Sequence, residues 1–422
     1  MSTSNRSAPA FRQRRSLLLG ALALPLPLAG CPGLTPIVQA IFSSFIVVWQ
    51  DDQDGRVRAR GFKPSGTSEL FSPIQVHSAA VGRQRAPSVA ACKDRFVVAW
   101  VDIGDWSVRA RVFDLNGAPR TGVIPIEVGV PWETAPGNTA GDTNWHSPRV
   151  AMASDGAFVV CWSRGTDHAP RARKFLPDGT AVATVDIAPP SGVGTDVAIA
   201  DDGNFVVTWA NFDSVRSFIR GFRSDGSIRF GSAPIQISQS IGTLEQAIAM
   251  SPDGSRIVVA QGCFQDPDHP APVLALGFDG SGNATFSRTV PSSFIVINGA
   301  RYAPAVATGA DGRFFVTWQD DRDGNGVPNI RARLFASDGS PIGDDLRVNT
   351  SVAGSQTFPA VSNNRGGAYA FVWQDNQSGN NDIRGRGLLG DDARSESIAQ
   401  TTMNTVTSGQ QRLPRVAMVP PA

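Results

Sequence analysis

The stretch Phe314-Phe315-Val316-Thr317-Trp318-Gln319-Asp320 is an apolar β-strand signal that ends in tryptophan and runs into an acidic turn. The pattern occurs in seven copies, 47 to 62 residues apart, with no gap left for another copy. Such a repeat is typical of a fold built from one recurring supersecondary unit. The other six strand anchors are residues 45–49, 96–100, 158–162, 205–209, 257–261 (which has lost its tryptophan) and 369–373.

Each copy contains four strand signals separated by short turns that often carry glycine. The first strand has the pattern Pro-x-Val-Ala, as in residues 304–307, and the tryptophan anchor is the second. The third carries two arginines, as in residues 330–335, and the fourth is short, as in residues 346–348. One such sheet cannot bury both faces alone, but a ring of sheets can bury each against its neighbours. We therefore predict an all-β chain, a seven-bladed β-propeller of four-stranded antiparallel blades over residues 36–422.

The C-terminus predicts how the ring closes. Residues 414–418 read Pro-Arg-Val-Ala-Met, which is an eighth first strand with no further strands after it. We expect this strand to pair with blade 1 as its innermost strand. Residues 36–40 are the competing copy for the same position, and they fit the pattern less well.

Composition limits the class of partner. Of the 422 residues, 43 are glycine and 30 are proline, which fits a turn-rich β protein. The formal net charge is +1, so the chain lacks the broad basic footprint of a nucleic-acid binder. We expect a monomeric protein with no nucleic-acid partner.

The first thirty residues have the pattern of an export signal. Four arginines and no acidic residue precede position 31, and an apolar run that is too short to span a bilayer covers residues 17–28. The run ends in Leu28-Ala29-Gly30-Cys31, which resembles the lipobox of bacterial lipoproteins. The resemblance implies a signal peptide over residues 1–30, acylation of Cys31 (palmitate or a similar chain), and a lipid-anchored tether over residues 31–35.

Two further features bear on the cellular location. Arg14-Arg15 in the sequence Gln13–Leu18 resembles a twin-arginine export signal, with the general secretory route as the alternative. Residue 32 is proline, not the aspartate that resembles an inner-membrane retention signal. We therefore expect a cell-envelope protein, with the outer membrane favoured and the periplasmic or surface face left open.

At the level of the repeat, the chain resembles bacterial envelope propellers. Ser251-Pro252-Asp253-Gly254-Ser255-Arg256-Ile257 resembles the repeat of TolB-type periplasmic propellers. The likeness implies the propeller fold and an envelope location. It implies no catalytic residues, because propellers host many functions.

One acidic turn has the spacing of a calcium loop. Residues 321–329 fit D-x-D-x-N-G-x-x-N, with oxygen ligands at Asp321, Asp323, Asn325 and Asn329. Hard cations such as Ca²⁺ prefer such ligands, and the glycine at the sixth position allows a sharp turn. The loop resembles those of integrin-type propeller blades, although those loops favour aspartate at the two asparagine positions and join the first and second strands. The alternative interpretation is an acidic hairpin turn whose side chains bond their own backbone.

Aromatic residues outside the repeat pattern suggest a ligand or partner face. Trp132, Trp145 and His146 lie in the longest link between blades, and Trp106 lies in the acidic-turn position of blade 2. In a propeller with this strand order, both segments belong to the same face of the ring. A loop that folds over its own hydrophobic residues is the alternative.

The paired arginines of the third strands have two interpretations. Spacing of two places both arginines of a pair on one face of the strand. They would form either a cationic ring for an anionic ligand or structural pairs with the acidic turns. Recurrence in five blades favours the structural interpretation, because binding sites usually break a repeat. The pairs are Arg58/Arg60, Arg109/Arg111, Arg171/Arg173, Arg331/Arg333 and Arg384/Arg386.

The sequence favours a binding or scaffold module for a protein or glycan partner over an enzyme. The chain has four histidines, and none lies in a nucleophile-elbow or zinc-helix motif. A propeller hydrolase or lyase that acts on polysaccharide is the alternative in a different class, and a mainly structural envelope protein is a third. Acids clustered at the pore mouth outside the repeat would favour the enzyme, whereas an apolar or aromatic pore mouth together with acids that follow the repeat would favour binding.

Overall fold

The computed structural model describes most of the predicted propeller. The described residues are 42–77, 82–128, 147–163, 168–189, 191–211, 213–214, 216–237, 246–262, 273–290, 303–322, 325–391 and 394–421. The signal peptide, Cys31 and the competing strand 36–40 lie outside them. Within this part of the chain, no helix has the length and apolar character needed to cross a membrane.

Seven four-stranded antiparallel sheets form the molecule, which confirms the predicted fold class. Blade 1 consists of β28 (Gln411–Met418), β1 (Phe45–Asp51), β2 (Arg56–Phe62) and β3 (Glu69–Gln75). Blade 2 consists of β4 (Gln84–Ala91), β5 (Arg95–Asp102), β6 (Ser107–Asp114) and β7 (Ile124–Glu127). Blade 3 consists of β8 (Arg149–Met152), β9 (Phe158–Ser163), β10 (Pro170–Phe175) and β11 (Ala181–Asp186). Blade 4 consists of β12 (Gly192–Ile199), β13 (Phe205–Asn211), β14 (Arg216–Phe222) and β15 (Ile228–Gln236).

The remaining three blades follow the same order. Blade 5 consists of β16 (Gln246–Met250), β17 (Arg256–Gly262), β18 (Val273–Asp279) and β19 (Ala284–Val290). Blade 6 consists of β20 (Ala305–Thr308), β21 (Phe314–Asp320), β22 (Asn329–Phe335) and β23 (Pro341–Arg347). Blade 7 consists of β24 (Gln356–Asn363), β25 (Ala368–Asp375), β26 (Asp382–Leu389) and β27 (Glu396–Thr402).

The first strand of each blade lies at the centre of the ring. The strands β4, β8, β12, β16, β20, β24 and β28 each contact the next one around the ring, and together they enclose a central channel. The C-terminal strand β28 pairs antiparallel with β1, with Val416 opposite Val47. The last strand of the chain therefore completes the first blade, as the sequence pattern of residues 414–418 suggests.

In the described part of the chain, the core consists of seven apolar clusters, one at each interface between neighbouring blades. In six blades the anchor tryptophan lies in the cluster shared with the preceding blade. In blade 5 the position is Gln261, which is fully buried and donates from Nε2 to Ser217 Oγ of blade 4 at 3.1 Å. A buried amide needs such a partner, because an unsatisfied polar group in a core costs free energy. The six anchor tryptophans are thus buried between neighbouring blades, among phenylalanine, valine and alanine side chains.

Candidate functional site

The strand order assigns every turn to one of two faces of the ring. The links between blades and the turns between second and third strands share one face, which we call the link face. The turns between first and second strands and between third and fourth strands share the other, which we call the opposite face. The predicted calcium loop and Trp106 therefore both lie on the link face.

The acids that begin the link-face turns are buried and bond their own backbone. Asp51, Asp102, Asp320 and Asp375 end second strands and are at most 4% exposed. Each carboxylate accepts the N–H two residues further along, at 2.8 to 3.1 Å. Burial raises the pKa of Asp102, although the Gly104 N–H opposes this shift. These acids follow the repeat and shape the turns.

The first arginines of the predicted pairs bond to acids of their own blades. Arg58 and Arg109 contact the buried Asp51 and Asp102 at 3.6 and 3.9 Å. Arg384 lies 3.9 Å from Asp375, and Arg331 lies 3.1 Å from Asp345. In blade 3, Arg171 pairs with Asp186 of the outer strand at 3.0 Å.

The second arginines connect neighbouring blades. Arg60 donates to the carbonyl of Met403 in blade 7 at 2.7 Å, and Arg173 donates to that of Ile126 in blade 2 at 2.7 Å. Arg111 and Arg386 make the equivalent bonds to the preceding blades. Arg220 does the same in blade 4, where the sequence shows no arginine pair. These contacts support the structural interpretation of the arginine ring.

The described residues of the predicted calcium loop act as hydrogen-bond acceptors within the protein. Asp321 is 3% exposed and accepts the N–H groups of Asn325 at 3.2 Å and Gly326 at 2.9 Å, one on each oxygen. Asn325 Oδ1 accepts the Val327 N–H, and Asn329 Oδ1 accepts from the side chain of Asn349. Asp323 lies outside the described residues. The described oxygens suit a turn as well as a cation, and calcium binding stays a prediction.

Trp106 is the described member of the predicted aromatic face. It is half-buried in the turn between β5 and β6, with a φ of 54°. A left-handed backbone is uncommon for a bulky residue and indicates a position held by its surroundings. Trp132, Trp145 and His146 lie outside the described residues, so the contribution of that link stays a prediction.

The central channel is lined by residues that the sequence does not single out. Its link-face half is a cavity of about 210 Å³ lined by all seven inner strands. One wall position per strand directly follows the residue in the proline position of the Pro-x-Val-Ala pattern. From blades 1 to 4 these residues are Arg415, Ser88, Arg149 and Asp196, and from blades 5 to 7 they are Ala247, Ala305 and Ala360.

A strained backbone precedes this ring of residues. Ala86, Phe358 and Leu413 have φ near +51° and stand two positions before a ring residue. Register shifts between the first and second strands mark bulges at the same points. Bulges re-aim side chains, and these lie directly before the residues of the channel wall. In the sequence, these wall residues occupy the variable position x of the Pro-x-Val-Ala pattern. Their variation between otherwise repeating neighbours is the feature that could have identified them.

Asp196 is the one carboxylate of this ring, and its environment is distinctive. Its two oxygens accept the N–H groups of Val197 at 2.9 Å and of Ile248 in blade 5 at 3.0 Å. Burial raises the pKa of Asp196, while the nearby Arg149, these two N–H groups and Arg415 act in the opposite direction. The channel wall therefore places two guanidinium groups and one carboxylate in a confined space.

A salt bridge spans the opposite end of the channel. Arg365, in the first turn of blade 7, donates from Nη1 to both oxygens of Asp201 in blade 4, each at 2.7 Å. Those blades stand across the ring from one another, and Arg365 lines the opposite half of the channel together with Met152, Met250 and Met418. The channel is thus constricted at the opposite face.

Both described cysteines, Cys92 and Cys161, are buried free thiols. Burial raises the pKa of each, which disfavours the reactive thiolate. Cys161 lies inside strand β9, where a buried thiol serves packing. Cys31 and Cys263 lie outside the described residues.

Comparison with known proteins supports the fold. No family profile matches the chain, and no curated protein matches it either. A solved structure of a protein from Lactobacillus plantarum is 12% identical, covers 89% of this chain and 98% of its own, and has a TM-score of 0.53. A mutant of the Synechocystis apocarotenoid oxygenase is 12% identical over 89% of this chain and 92% of its own, with a TM-score of 0.48. At 12% identity the match to the Lactobacillus plantarum structure supports the fold alone. The seven blades themselves are given by the strand order of this chain.

Proposed function

We propose that this chain is a lipid-anchored binding module of the bacterial cell envelope, whose link face binds a protein or glycan partner. The observation that carries the proposal is the use of the acidic residues. The four buried acids that end second strands, Asp51, Asp102, Asp320 and Asp375, follow the repeat, bond their own backbone and contact arginines, as expected of a scaffold. The described channel wall carries a single ring carboxylate, Asp196, and not a paired set for glycoside chemistry.

The partner face is tested by crosslinking in living bacterial cells. A photoreactive benzoylphenylalanine at Trp106 replaces one aromatic side chain by another on the link face. The matched control has the same group at Leu176, which is 44% exposed in the β10–β11 turn of the opposite face. We expect discrete crosslinked products from position 106 and none of the same mass from position 176. Equal products from both positions, or none from position 106, would contradict the proposal.

The lipid anchor is tested separately by metabolic labelling with an alkyne-tagged palmitate. We expect label on the intact chain, which fractionates with membranes, and loss of both label and membrane association in Cys31→Ser. A Cys263→Ser variant is the matched control, because it removes a cysteine that the lipobox does not include. Label that persists in Cys31→Ser would overturn the anchor and leave the partner-face result unaffected.

A further inference from the structure

The seven channel-wall residues that follow the proline position, which we call the channel ring, differ in type from blade to blade. The residues that build the blades repeat instead. The anchor tryptophan recurs in six blades, the buried turn acid in four and the arginine bond to the preceding blade in five. The ring instead carries Arg415, Ser88 and Arg149 in consecutive blades, and Asp196 follows in the next. The three blades that complete the circle all present alanine. A propeller does not need this difference to close, so the difference requires another explanation.

The arrangement produces a cationic side and an apolar side within one cavity. Ser88 of blade 2 stands between the two arginines of blades 1 and 3, and its Oγ accepts the N–H of Val150 at 3.2 Å. A guanidinium presents a planar fork of donors that matches a carboxylate. Ala247 and Ala305 lie across the ring, where small side chains leave room for an apolar group.

Asp196 limits the negative charge that a ligand of this cavity can carry. Its carboxylate is held in the wall by backbone N–H groups from two blades, so it is a permanent part of the ring. The two backbone N–H donors and the neighbouring guanidinium groups favour the ionised form of Asp196 against its burial. With Asp196 ionised, two guanidinium groups and one carboxylate leave a single excess positive charge. A monoanion neutralises this excess, whereas a dianion would add an unpaired negative charge in a confined space.

The volume of the cavity and the route into it further restrict the class of ligand. A cavity of about 210 Å³ is smaller than the roughly 300–1,000 Å³ typical of drug-sized ligands. Among the described residues, the Arg365–Asp201 bridge spans the far end of the channel, so we take the link face as the route of entry. The cavity therefore suits one small molecule that enters from the link face.

We infer that the link-face half of the channel binds a small organic monoanion, a carboxylate with a short apolar chain. Its carboxylate lies between Arg149 and Arg415 beside Ser88, and its chain packs against Ala247 and Ala305. This site is separate from the partner surface at Trp106, and it does not depend on the lipid anchor. Its failure would therefore leave the proposed function standing.

The test uses the purified full chain in detergent and sodium butanoate as the probe. Isothermal titration at constant ionic strength compares butanoate with butanamide, its neutral counterpart, and with inorganic phosphate. We expect saturable binding of butanoate, with butanamide and phosphate at least about tenfold weaker. Arg149→Gln should weaken butanoate binding by about 10- to 100-fold, the range expected for a hydrogen bond to a charged group.

Two controls keep the result interpretable. Arg223→Gln removes an exposed arginine outside the channel and should leave binding unchanged. Ala305→Leu keeps both arginines but fills the apolar side, and it should abolish butanoate binding. If Arg149→Gln fails to fold, as judged by circular dichroism, Arg149→Lys keeps the charge without the fork and should bind at an intermediate level. No butanoate binding, or binding unchanged in Arg149→Gln or Ala305→Leu, would overturn the inference.

Discussion

At the scale of single residues, the Trp-Gln-Asp triplet shows how one short motif serves three purposes. In blades 1, 6 and 7 the tryptophan packs against the preceding blade, and the aspartate bonds the turn that follows. The glutamine accepts the N–H of the strained residue in the next inner strand. Gln50 bonds Ala86, Gln319 bonds Phe358 and Gln374 bonds Leu413. The strained bulge of each following blade is thus held by the blade before it.

Gln374→Ala should therefore destabilise the ring at its closing strand. The Leu413 N–H, which Gln374 Oε1 accepts at 2.8 Å in a buried position, would lose its partner. An unsatisfied buried group costs about 1–3 kcal/mol, so we expect the free energy of unfolding to fall by that amount in a denaturant titration. Gln377→Ala, at an exposed position in the next turn, is the control and should have little effect. Equal stability of the two variants would contradict this role for Gln374.

Asp94 should make stability depend on acid pH. It accepts from Arg95 at 2.8 and 3.0 Å and from Arg120 at 3.0 Å, and these bonds hold the pKa of its carboxyl well below its ordinary value. A depressed folded-state pKa contributes stability above the unfolded-state value of about 3.9, and this contribution is lost as pH falls through the folded-state value. Asp94→Asn should lower the thermal midpoint at pH 7, by the equivalent of about 1 kcal/mol or less for an exposed pair. The difference from the intact chain should shrink below about pH 4, and a constant difference would contradict the linkage.

At the scale of elements, neighbouring blades are joined by polar bonds as well as by their apolar clusters. The second arginine of the third strand reaches the carbonyl at the end of the preceding blade in five blades. A guanidinium suits this role because it can bond a carbonyl, pair with an acid and stack on an aromatic ring at once. Arg60 does all three, with Met403, Glu69 and Phe62.

Arg60→Ala should weaken the interface between blades 1 and 7. Loss of a charge-assisted bond together with an ion pair predicts a fall of about 1.5–3 kcal/mol in the free energy of unfolding. Arg60→Lys should recover part of the loss, because it keeps the charge without the planar fork. Arg56→Ala is the control, since Arg56 contacts only the partly exposed Asp54 at 3.7 Å among the ion pairs of the described chain, and surface pairs contribute about 0–1 kcal/mol. A full loss in Arg56→Ala would argue against a specific role for Arg60.

The link-face turn of blade 6 offers a separate test at this scale. Asp321→Ala should lower the thermal midpoint even in EDTA, because two backbone N–H groups lose their acceptor. If the calcium prediction holds, millimolar Ca²⁺ raises the midpoint of the intact chain, and Asp321→Ala and Asp323→Ala each remove that rise. If Ca²⁺ does not raise the thermal midpoint of the intact chain, these acids serve only to stabilise the turn.

At the scale of the whole molecule, the two ends of the propeller are tied together by one strand. The strand β28 pairs with β1 and contacts the inner strands of blades 7 and 2. Its side chains enter the cluster between blades 7 and 1 through Val416 and Met418. Without it, blade 1 would lack its innermost strand and two apolar clusters would be exposed.

Removal of residues 411–422 should therefore abolish cooperative unfolding, not merely lower its midpoint. We expect the truncated chain to aggregate or to lose its sharp thermal transition in circular dichroism, because the exposed inner edge of β1 is a template for pairing with other chains. Removal of residues 421–422 alone, which follow the strand, is the control and should leave the transition intact. A sharp transition in the longer truncation would show that the ring does not depend on this closure.

Much of this architecture could be predicted from sequence because the repeat makes each blade a copy of the same local signals. Alternating and apolar runs define strands, and Gly turns define hairpins, so seven copies predicted seven blades. The structural interpretation of the arginines followed from the same logic, because residues that recur from blade to blade are expected to stabilise the blade. The Pro-x-Val-Ala pattern of residues 414–418 likewise indicated the closing strand.

Sequence patterns alone were sufficient to predict the strands of a blade, the number of blades and the position of the closing strand, because each of these features depends on short-range patterns. Tertiary structure alone decided which residues meet at the centre. Arg415, Ser88, Arg149 and Asp196 are as much as 327 residues apart in the chain, yet ring closure places them on one channel wall. The Arg365–Asp201 bridge joins residues 164 positions apart for the same reason. A closed ring brings one position of every repeat to a common axis, and this property belongs to the ring and not to any single repeat.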